Sequence, residues 1–207
     1  MHENCLATST ALSRYYMPDL ITPGDVIRLL NEAGVRFLLV GAHGLSGWTQ
    51  KPRATEDVDI LVGTRSHKKA ARLLQGAYPH LTIEDHEVVT RFRDPATGRV
   101  VIDVMKANQP LYRDALKHTK HVSSEGQSYE IPSLELALAM KFAAMISLTR
   151  SDEDKHTDAS DFIKIVKANP DVDLKKLHSL GQLVYNGGGD DVVEKVRQVR
   201  AGEQIKL

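Results

Sequence analysis

Apolar and polar positions along this chain predict helices and strands in mixed order. The apolar run from Phe37 to Val40 ends at a glycine, and a second apolar run, 60–62, follows two acidic residues. Short apolar runs closed by turn residues are typical of buried strands. Before them, Thr22 and Pro23 predict the start of a helix that ends at Gly34, because threonine caps helices and proline suits their first position.

The middle of the chain predicts one helix and a strand hairpin. A helix is expected over 66–75, with Arg65, Lys68, Lys69 and Arg72 on its outer side. That basic side is either a solvated helix face or a nucleic-acid patch, and the sequence leaves both open. The segments 81–84 and 88–93 have strand composition, and Asp94 to Gly98 has the composition of a hairpin turn before the returning run 99–105.

The last third of the chain predicts helices. Ser133 is expected to cap a helix over 134–150 that is apolar nearly all round and should therefore be buried. A charged loop over 151–156 and a helix over 157–168 follow. Two short amphipathic helices come last, divided by the glycine run 187–189, which predicts a flexible joint. We therefore expect an α/β (α+β) fold with a small mixed sheet flanked by helices, a core over 1–132 and a helical part over 133–207.

Two carboxylates stand at the start of the second apolar run. Asp57 and Asp59 are two residues apart, so in a strand they point to the same face. Such close like charges favour a bound cation, and magnesium prefers carboxylates together with phosphate oxygens. Gly41 and Gly44 bracket a tight turn whose backbone could approach a phosphate closely. The alternative is a solvated strand end with two surface acids.

Two further charged residues interrupt apolar segments. Asp103 lies within the run 100–105, where it either occupies an exposed strand face or faces a cation, because burial without a partner costs free energy. Lys141 lies in the middle of the apolar helix and either reaches solvent or binds a carboxylate or a phosphate. Asp158 and Asp161 share one face of the next helix. They either favour the helix dipole or form an ion pair that shapes a cleft.

Composition excludes several classes of function. Lys plus Arg and Asp plus Glu are 27 each, so the formal net charge is zero and gives no global signal for nucleic acid. The single cysteine, Cys5, excludes a disulfide framework and suggests a reducing, cytoplasmic location. We expect no signal peptide and no membrane contact, since 134–148 is too short to span a bilayer. The histidines lack zinc-ligand spacing.

One motif resembles a known family. Gly41-Ala42 followed by Arg53-x-Thr55-x-Asp57-x-Asp59 resembles the nucleotidyltransferase superfamily with the DNA polymerase beta-like fold. It is most similar to the AbiEii-type branch, the toxins of toxin–antitoxin and phage-abortive systems. The resemblance covers about residues 25–165. Ala42 departs from it, because many relatives have Ser or Gly there, so a hydroxyl contact to phosphate is absent.

The resemblance implies roles for individual residues. Asp57, Asp59 and Asp103 would be catalytic and would bind Mg²⁺ or Mn²⁺. The nucleotide would be bound by Gly41, Ala42, Arg53, Thr55, Lys141 and Asp158, with Lys141 also acting in catalysis.

The function that the resemblance implies is transfer of NMP from an NTP to an acceptor hydroxyl. The acceptor would be a tRNA end or a protein side chain, and the protein would be a toxin with a cognate antitoxin. One alternative is a non-catalytic nucleotide-binding or interaction domain with a decayed site, supported only by Ala42. Another is a structural adaptor without a ligand.

Overall fold

A computed structural model describes residues 20–49, 55–124 and 126–205. Cys5 and Arg53 lie outside the described residues, so the expectations placed on them stay predictions. The helices are α1 (Pro23–Glu32), α2 (Gly41–Leu45), α3 (Thr64–Ala77), α4 (Pro110–Ala115), α5 (Leu134–Met145), α6 (Asp152–Ala168), α7 (Leu174–Gly181) and α8 (Gly188–Ala201), with a 3-10 turn over Ser46–Trp48. The strands are β1 (Phe37–Leu39), β2 (Val58–Val62), β3 (Thr82–Asp85), β4 (Val89–Arg93), β5 (Val100–Lys106), β6 (Thr119–Ser124) and β7 (Gln127–Pro132).

Five strands form one mixed sheet in the order β1-β2-β5-β4-β3. Within this sheet of described strands, β2 and β5 pair in parallel and the other neighbours are antiparallel. The parallel pair needs a long connection, which α3 and the β3–β4 hairpin supply. Strands β6 and β7 form a separate hairpin. The small mixed sheet flanked by helices confirms the predicted fold class.

The sheet buries a different apolar cluster on each face. One face packs Leu39, Ile60 and Val104 against apolar residues of α1 and α3. The other face packs Leu38 and Leu61 against the helices of residues 134–201. Because successive strand residues point to opposite faces, β1 and β2 contribute to both clusters. The helical part therefore covers one face of the sheet, while the division at residue 132 stays a prediction.

Capping explains where several helices begin. Thr22 and Asp25 form a reciprocal capping box on α1, and Ser133 accepts a hydrogen bond from the amide of Leu136, both as the sequence predicts. The predicted charged loop over 151–156 is wrong, because α6 already begins at Asp152. Ser151 caps it, and three acidic residues in its first turn favour the positive end of the helix dipole.

Other boundaries differ from the prediction by several residues. Helix α5 ends at Met145 rather than 150, and α3 spans Thr64–Ala77 rather than 66–75. The tight turn predicted between Gly41 and Gly44 is the short helix α2. In the part of the chain that the structure describes, no helix has the length and apolar character needed to cross a membrane.

The glycine run 187–189 is a packing contact rather than the predicted flexible joint. Gly187 has a φ of 98° and precedes α8, and Gly188 and Gly189 are buried at its start. A Cβ on Gly189 would lie 2.5 Å from the carbonyl oxygen of His178, and one on Gly181 would lie 2.6 Å from that of Gly188. The glycines thus let the backbones of α7 and α8 touch, which is the packing reason for the run.

The contact between α7 and α8 predicts that Gly189→Ala destabilises the fold. The added methyl has backbone on one side and Gln182 on the other, so the helices must separate. We expect a loss of about 1–3 kcal/mol in the free energy of unfolding, as for other overpacked contacts. Urea unfolding followed by circular dichroism measures it.

Gly76→Ala is the matched control. Gly76 lies in α3, where a Cβ would meet nothing within 4 Å. Alanine suits a helix interior better than glycine, so this variant should gain up to about 1 kcal/mol. Equal effects of the two substitutions would show that α7 and α8 are not in backbone contact.

Candidate functional site

The site is built on the two parallel strands of the sheet. Asp59 on β2 lies directly opposite Asp103 on β5. Their neighbours Val58, Ile60 and Val104 are buried in the cluster beneath α1 and α3. Strand alternation therefore directs both carboxylates to the other face, the one that the helical part covers. Each carboxylate can stand in a buried strand because its side chain lies against the cavity described below rather than against apolar side chains.

The third carboxylate stands just before the strand. Asp57 precedes β2, which begins at Val58, and its carboxylate accepts a hydrogen bond from the hydroxyl of Thr55. Asp57 lines the same cavity as Asp59 and Asp103. The three acids that the sequence predicts as a group therefore line one cavity, and their role as metal ligands stays a prediction. Thr55 lies beside them as the hydrogen-bond partner of one acid.

Asp103 carries an energetic cost. Its Oδ1 is buried and has no hydrogen-bond partner among the described residues, and its Oδ2 lies 3.4 Å from Nε of Arg91. Burial raises the pKa of the Asp103 carboxyl above its ordinary value; Arg91 acts to lower this pKa, and the like charge of Asp57 acts to raise it. The carboxylate is therefore under-solvated, and Arg91, its nearest compensating charge, is itself partly exposed.

Gly41 allows the turn to approach the acids. It has a φ of 58°, a conformation that favours glycine, and a Cβ there would overlap the carboxylate of Asp59. The amides of Gly41 and Ala42 lie in the first turn of α2, where no intrahelical partner exists. Gly44 has a different role, because a Cβ on it would clash with the carbonyl of Leu39. Gly41 therefore leaves room for the carboxylate of Asp59, and Gly44 leaves room for the backbone of β1.

Lys141 is held by two carboxylates on the opposite wall. Its Nζ donates to Oδ1 of Asp158 and to Oδ2 of Asp161, both at 2.8 Å, and all three residues are buried. The ion pair that the sequence offered as one alternative is therefore present, and the lysine does not extend into solvent. It connects α5 to α6 across the helical part. Lys141 and Asp158 also line the cavity.

The cavity between the sheet and the helical part has a volume of about 540 Å³. That is within the ordinary range for small-molecule sites. The sheet supplies the acids, while the segment between α5 and α6 supplies Thr149, Arg150 and Ser151. Nε of Arg150 lies 3.0 Å from Oδ2 of Asp158 without a hydrogen bond between them. Apolar side chains such as Met105 and Met140 complete the lining.

The donor set at the sheet end suits a hard divalent cation. It consists of carboxylate oxygens, which magnesium prefers, and one of them, Oδ1 of Asp103, is buried without a partner. Within residues 20–49, 55–124 and 126–205, no three Asp, Glu, His or Cys side chains are already grouped as metal ligands. The residue types therefore fit such an ion, and their side chains need to reorient to bind it.

The residues of the cavity wall that the sequence patterns do not predict include Arg91, Arg150 and Tyr112. Arg91 could have been found from its register, because it lies opposite Asp103 in the antiparallel pairing of β4 with β5. Arg150 lay at the end of the predicted helix and carried no signal. Tyr112 on α4 lines the cavity, and burial raises the pKa of its hydroxyl. Nothing in its surrounding sequence indicated that position.

Comparison with known proteins supports the fold. No protein-family model matches the chain, and no curated protein matches it in sequence. The chain is similar to the solution structure of the antibiotic-resistance factor ANT(2'')-Ia, with a TM-score of 0.53, 8% identity, and coverage of 86% of this chain and 94% of that one. It is also similar to an antigenic nucleotidyltransferase-like protein from Paracoccidioides brasiliensis, with a TM-score of 0.50, 17% identity, and coverage of 83% and 88%. The fold is therefore that of nucleotidyltransferase-like proteins, and the AbiEii branch stays a prediction.

The buried ion pairs predict that Lys141→Met strongly destabilises the fold. The substitution leaves Asp158 and Asp161 buried without the shared ammonium. Breaking a buried pair from one side typically costs about 3–5 kcal/mol. The triple variant Lys141→Met, Asp158→Asn, Asp161→Asn removes the stranded charges and should recover most of that loss. Chemical unfolding measures both.

Lys155→Met is the control on α6. Lys155 pairs with the exposed Asp152 at 3.4 Å, and such surface pairs contribute about 0–1 kcal/mol. A loss for Lys141→Met no larger than for this control would contradict the buried ion pair.

The cost at Asp103 predicts that Asp103→Asn stabilises the fold at neutral pH. A raised pKa means that the folded state favours the protonated carboxyl, so wild-type stability falls as the pH rises from the ordinary carboxyl range through the raised pKa. Asparagine avoids the buried charge, so its advantage appears above that pKa and disappears below it. Each kcal/mol should raise Tm by about 2–4 °C. Thermal unfolding as a function of pH measures it.

Asp114→Asn should show the opposite sign. Hydrogen bonds from Lys117 and His118 lower the pKa of the Asp114 carboxyl, so that charge stabilises the fold above its ordinary pKa. If Asp103→Asn also lowered Tm at pH 7, the carboxylate would be better compensated than its contacts indicate.

Proposed function

We propose that this protein is a metal-dependent nucleotidyltransferase that transfers NMP from an NTP to an acceptor hydroxyl. One observation carries the proposal: Asp57, Asp59 and Asp103 line a single cavity, and Oδ1 of Asp103 is buried there without a hydrogen-bond partner among the described residues. The fold gains nothing from that arrangement, because a buried and poorly compensated carboxylate costs free energy. Groups that oppose stability in this way are typical of functional sites.

The three acids are the proposed ligands of Mg²⁺ or Mn²⁺. Their hard oxygen donors suit either ion, although the side chains need to reorient. A divalent ion bound to them supplies charge neutralisation for the phosphates and favours ionisation of the acceptor hydroxyl. Thr55 positions Asp57 through its hydroxyl.

The remaining roles belong to the walls of the cavity. Gly41 lies against the carboxylate of Asp59, and the amides of Gly41 and Ala42 in this turn are proposed to donate to phosphate oxygens. Asp103 is proposed to accept the proton of the acceptor hydroxyl. Arg53 is proposed to contact phosphate as a bidentate donor. Lys141 and Asp158 are proposed to hold the opposite wall of the nucleotide site in place.

The acceptor and biological role are proposed from the resemblance of the sequence motif. A tRNA end or a protein side chain would take the NMP, and the protein would be the toxin of a toxin–antitoxin or abortive-infection pair with a cognate antitoxin. We place it in the cytoplasm, where a single cysteine is common. Because ANT(2'')-Ia is an antibiotic-resistance factor, small antibiotics belong in the same panel of acceptors.

The competing function is a nucleotide-binding domain with a decayed site. Ala42 is its main support, because a hydroxyl is absent from the turn. Against it, all three acids remain and line one cavity. A domain that only binds a nucleotide has no use for the desolvation cost of Asp103, since Asp57 and Asp59 could hold the ion and triphosphate between them.

The proposal predicts that Asp103→Asn separates binding from transfer. The variant should bind NTP nearly as well as wild type, because Asp57 and Asp59 remain, and it should lose transfer by several orders of magnitude. Calorimetry with each NTP and Mg²⁺ measures binding. Transfer of label from α-labelled NTPs to total tRNA, cell-extract protein and aminoglycosides measures the reaction.

Two further variants make the test specific. Asp57→Asn combined with Asp59→Asn should abolish both binding and the thermal shift that Mg²⁺ with NTP produces. Asp154→Asn changes another acid of the cavity wall and should leave both binding and transfer near wild type. If wild type binds NTP but transfers NMP to no acceptor, and Asp103→Asn binds NTP equally well, the decayed-site alternative is established.

A further inference from the structure

Four cations of the described residues line the cavity, and most of their charge is already engaged. Arg93 donates twice to Glu84, at 3.1 and 3.0 Å, and once to the carbonyl of Gly98. Arg91 lies against Asp103. Arg93 therefore has little charge left for a ligand anion, and Arg91 lies on the sheet beside the proposed metal ligands rather than on the helical wall.

Lys141 is more fully engaged than either arginine. Two carboxylates bind its ammonium at 2.8 Å, and the residue is only 8% exposed. One positive charge facing two negative charges presents no net attraction to a third anion. A phosphate contact from Lys141 would also require breaking a buried ion pair. The lysine is thus suited to positioning α6, rather than to contacting a triphosphate.

Arg150 differs from Lys141 because it is more exposed and has one carboxylate partner among the described residues rather than two. Its side chain is 44% exposed, it lines the cavity, and within the described part of the chain it makes no hydrogen bond. Its Nε lies 3.0 Å from Oδ2 of Asp158, so this ion pair orients the guanidinium through Nε and leaves its two terminal nitrogens for a ligand. An arginine has five N–H donors in a fixed fork that matches phosphate geometry. Asp158 therefore connects Arg150 to Lys141 and fixes where that fork stands.

We infer that Arg150, rather than Lys141, is the side chain of the helical wall that binds the triphosphate, with Asp158 as its positioning residue. The ligand class is a polyphosphate, recognised at one end by the sheet acids through a divalent ion and at the other by the guanidinium. The inference rests on the proposed function, because it assigns a residue within that same site. It also changes the expected role of Lys141 from ligand contact to support.

The test compares affinities for ligands with different numbers of phosphates. Calorimetry in the presence of Mg²⁺ measures the affinity for ATP, for inorganic tripolyphosphate and for AMP. Arg150→Gln should lower the affinity for ATP and for tripolyphosphate about 10- to 100-fold, the range for a charge-assisted hydrogen bond. AMP, which lacks the outer phosphates, should lose little affinity. Arg150→Lys should recover part of the loss, because it restores charge but not the fork. Tm should stay near wild type, since Arg150 is half exposed.

Arg93→Gln is the matched control, because that arginine lines the same cavity but is engaged by Glu84. It should change ATP affinity less than threefold. Asp158→Asn should weaken ATP binding in wild type and add nothing in the Arg150→Gln background, as a double-mutant cycle requires of coupled residues. A merely structural role for Asp158 would weaken binding equally in both backgrounds and would overturn its positioning role.

The outcomes distinguish this assignment from the proposed function. If wild type binds ATP with Mg²⁺ and Arg150→Gln binds it equally well, the assignment of Arg150 is wrong and the proposed function stands. If Arg150→Gln lowers the affinity for AMP as much as the affinity for ATP, the arginine does not contact the outer phosphates and the assignment is again wrong. If wild type binds neither ATP nor tripolyphosphate, both the function and the assignment fail.

Discussion

The shared ion pair of Lys141 with Asp158 and Asp161 is the interaction on which the cavity depends. It joins α5 to α6 within an otherwise apolar helical part, and both contacts are 2.8 Å. Buried pairs of this kind contribute little net stability, but they tolerate few alternative arrangements, because any shift leaves a charge unpaired. The pair therefore fixes how the two helices stand relative to each other. Arg150 depends on the same Asp158, so the pair also fixes the cation at the cavity wall.

A second constraint acts at the sheet, where a backbone and a carboxylate compete for space. Gly41 lies so close to Asp59 that any side chain would overlap it. The glycine thus serves two purposes at once, since it adopts a positive φ and leaves room for the acid. The start of α2 is brought against the carboxylates by this contact. Sheet and helical part then face each other across the cavity, with acids on one side and Arg150 on the other.

The sequence predicted the fold where the pattern was local and strong. The buried strands, the caps at Thr22 and Ser133, and the mixed sheet follow from short-range rules about apolar runs and capping. The predicted start of α6 is wrong because a run of charged residues is typical of a loop, whereas here Ser151 caps the helix and the acidic residues form its first turn. Gly187–Gly189 was read as a joint because sequence composition does not show that another backbone packs against it. The predicted site acids do line one cavity, while Arg91 and Arg150 could not be found, because their positions depend on strand register and on a helix end.

Asp103 and Lys141 break the same local rule, and their structural contacts show why they differ. Each places a charge in an apolar segment, which costs free energy unless partners compensate it. Lys141 has two carboxylates within 2.8 Å, so its charge is satisfied by the protein itself. Asp103 has one arginine at 3.4 Å and one oxygen without a hydrogen bond, so its charge is not. The divalent ion of the proposed function would supply the missing partner from the cavity in front of Asp103. The same break in pattern is therefore explained by structural support at Lys141, and at Asp103 by the chemistry proposed above.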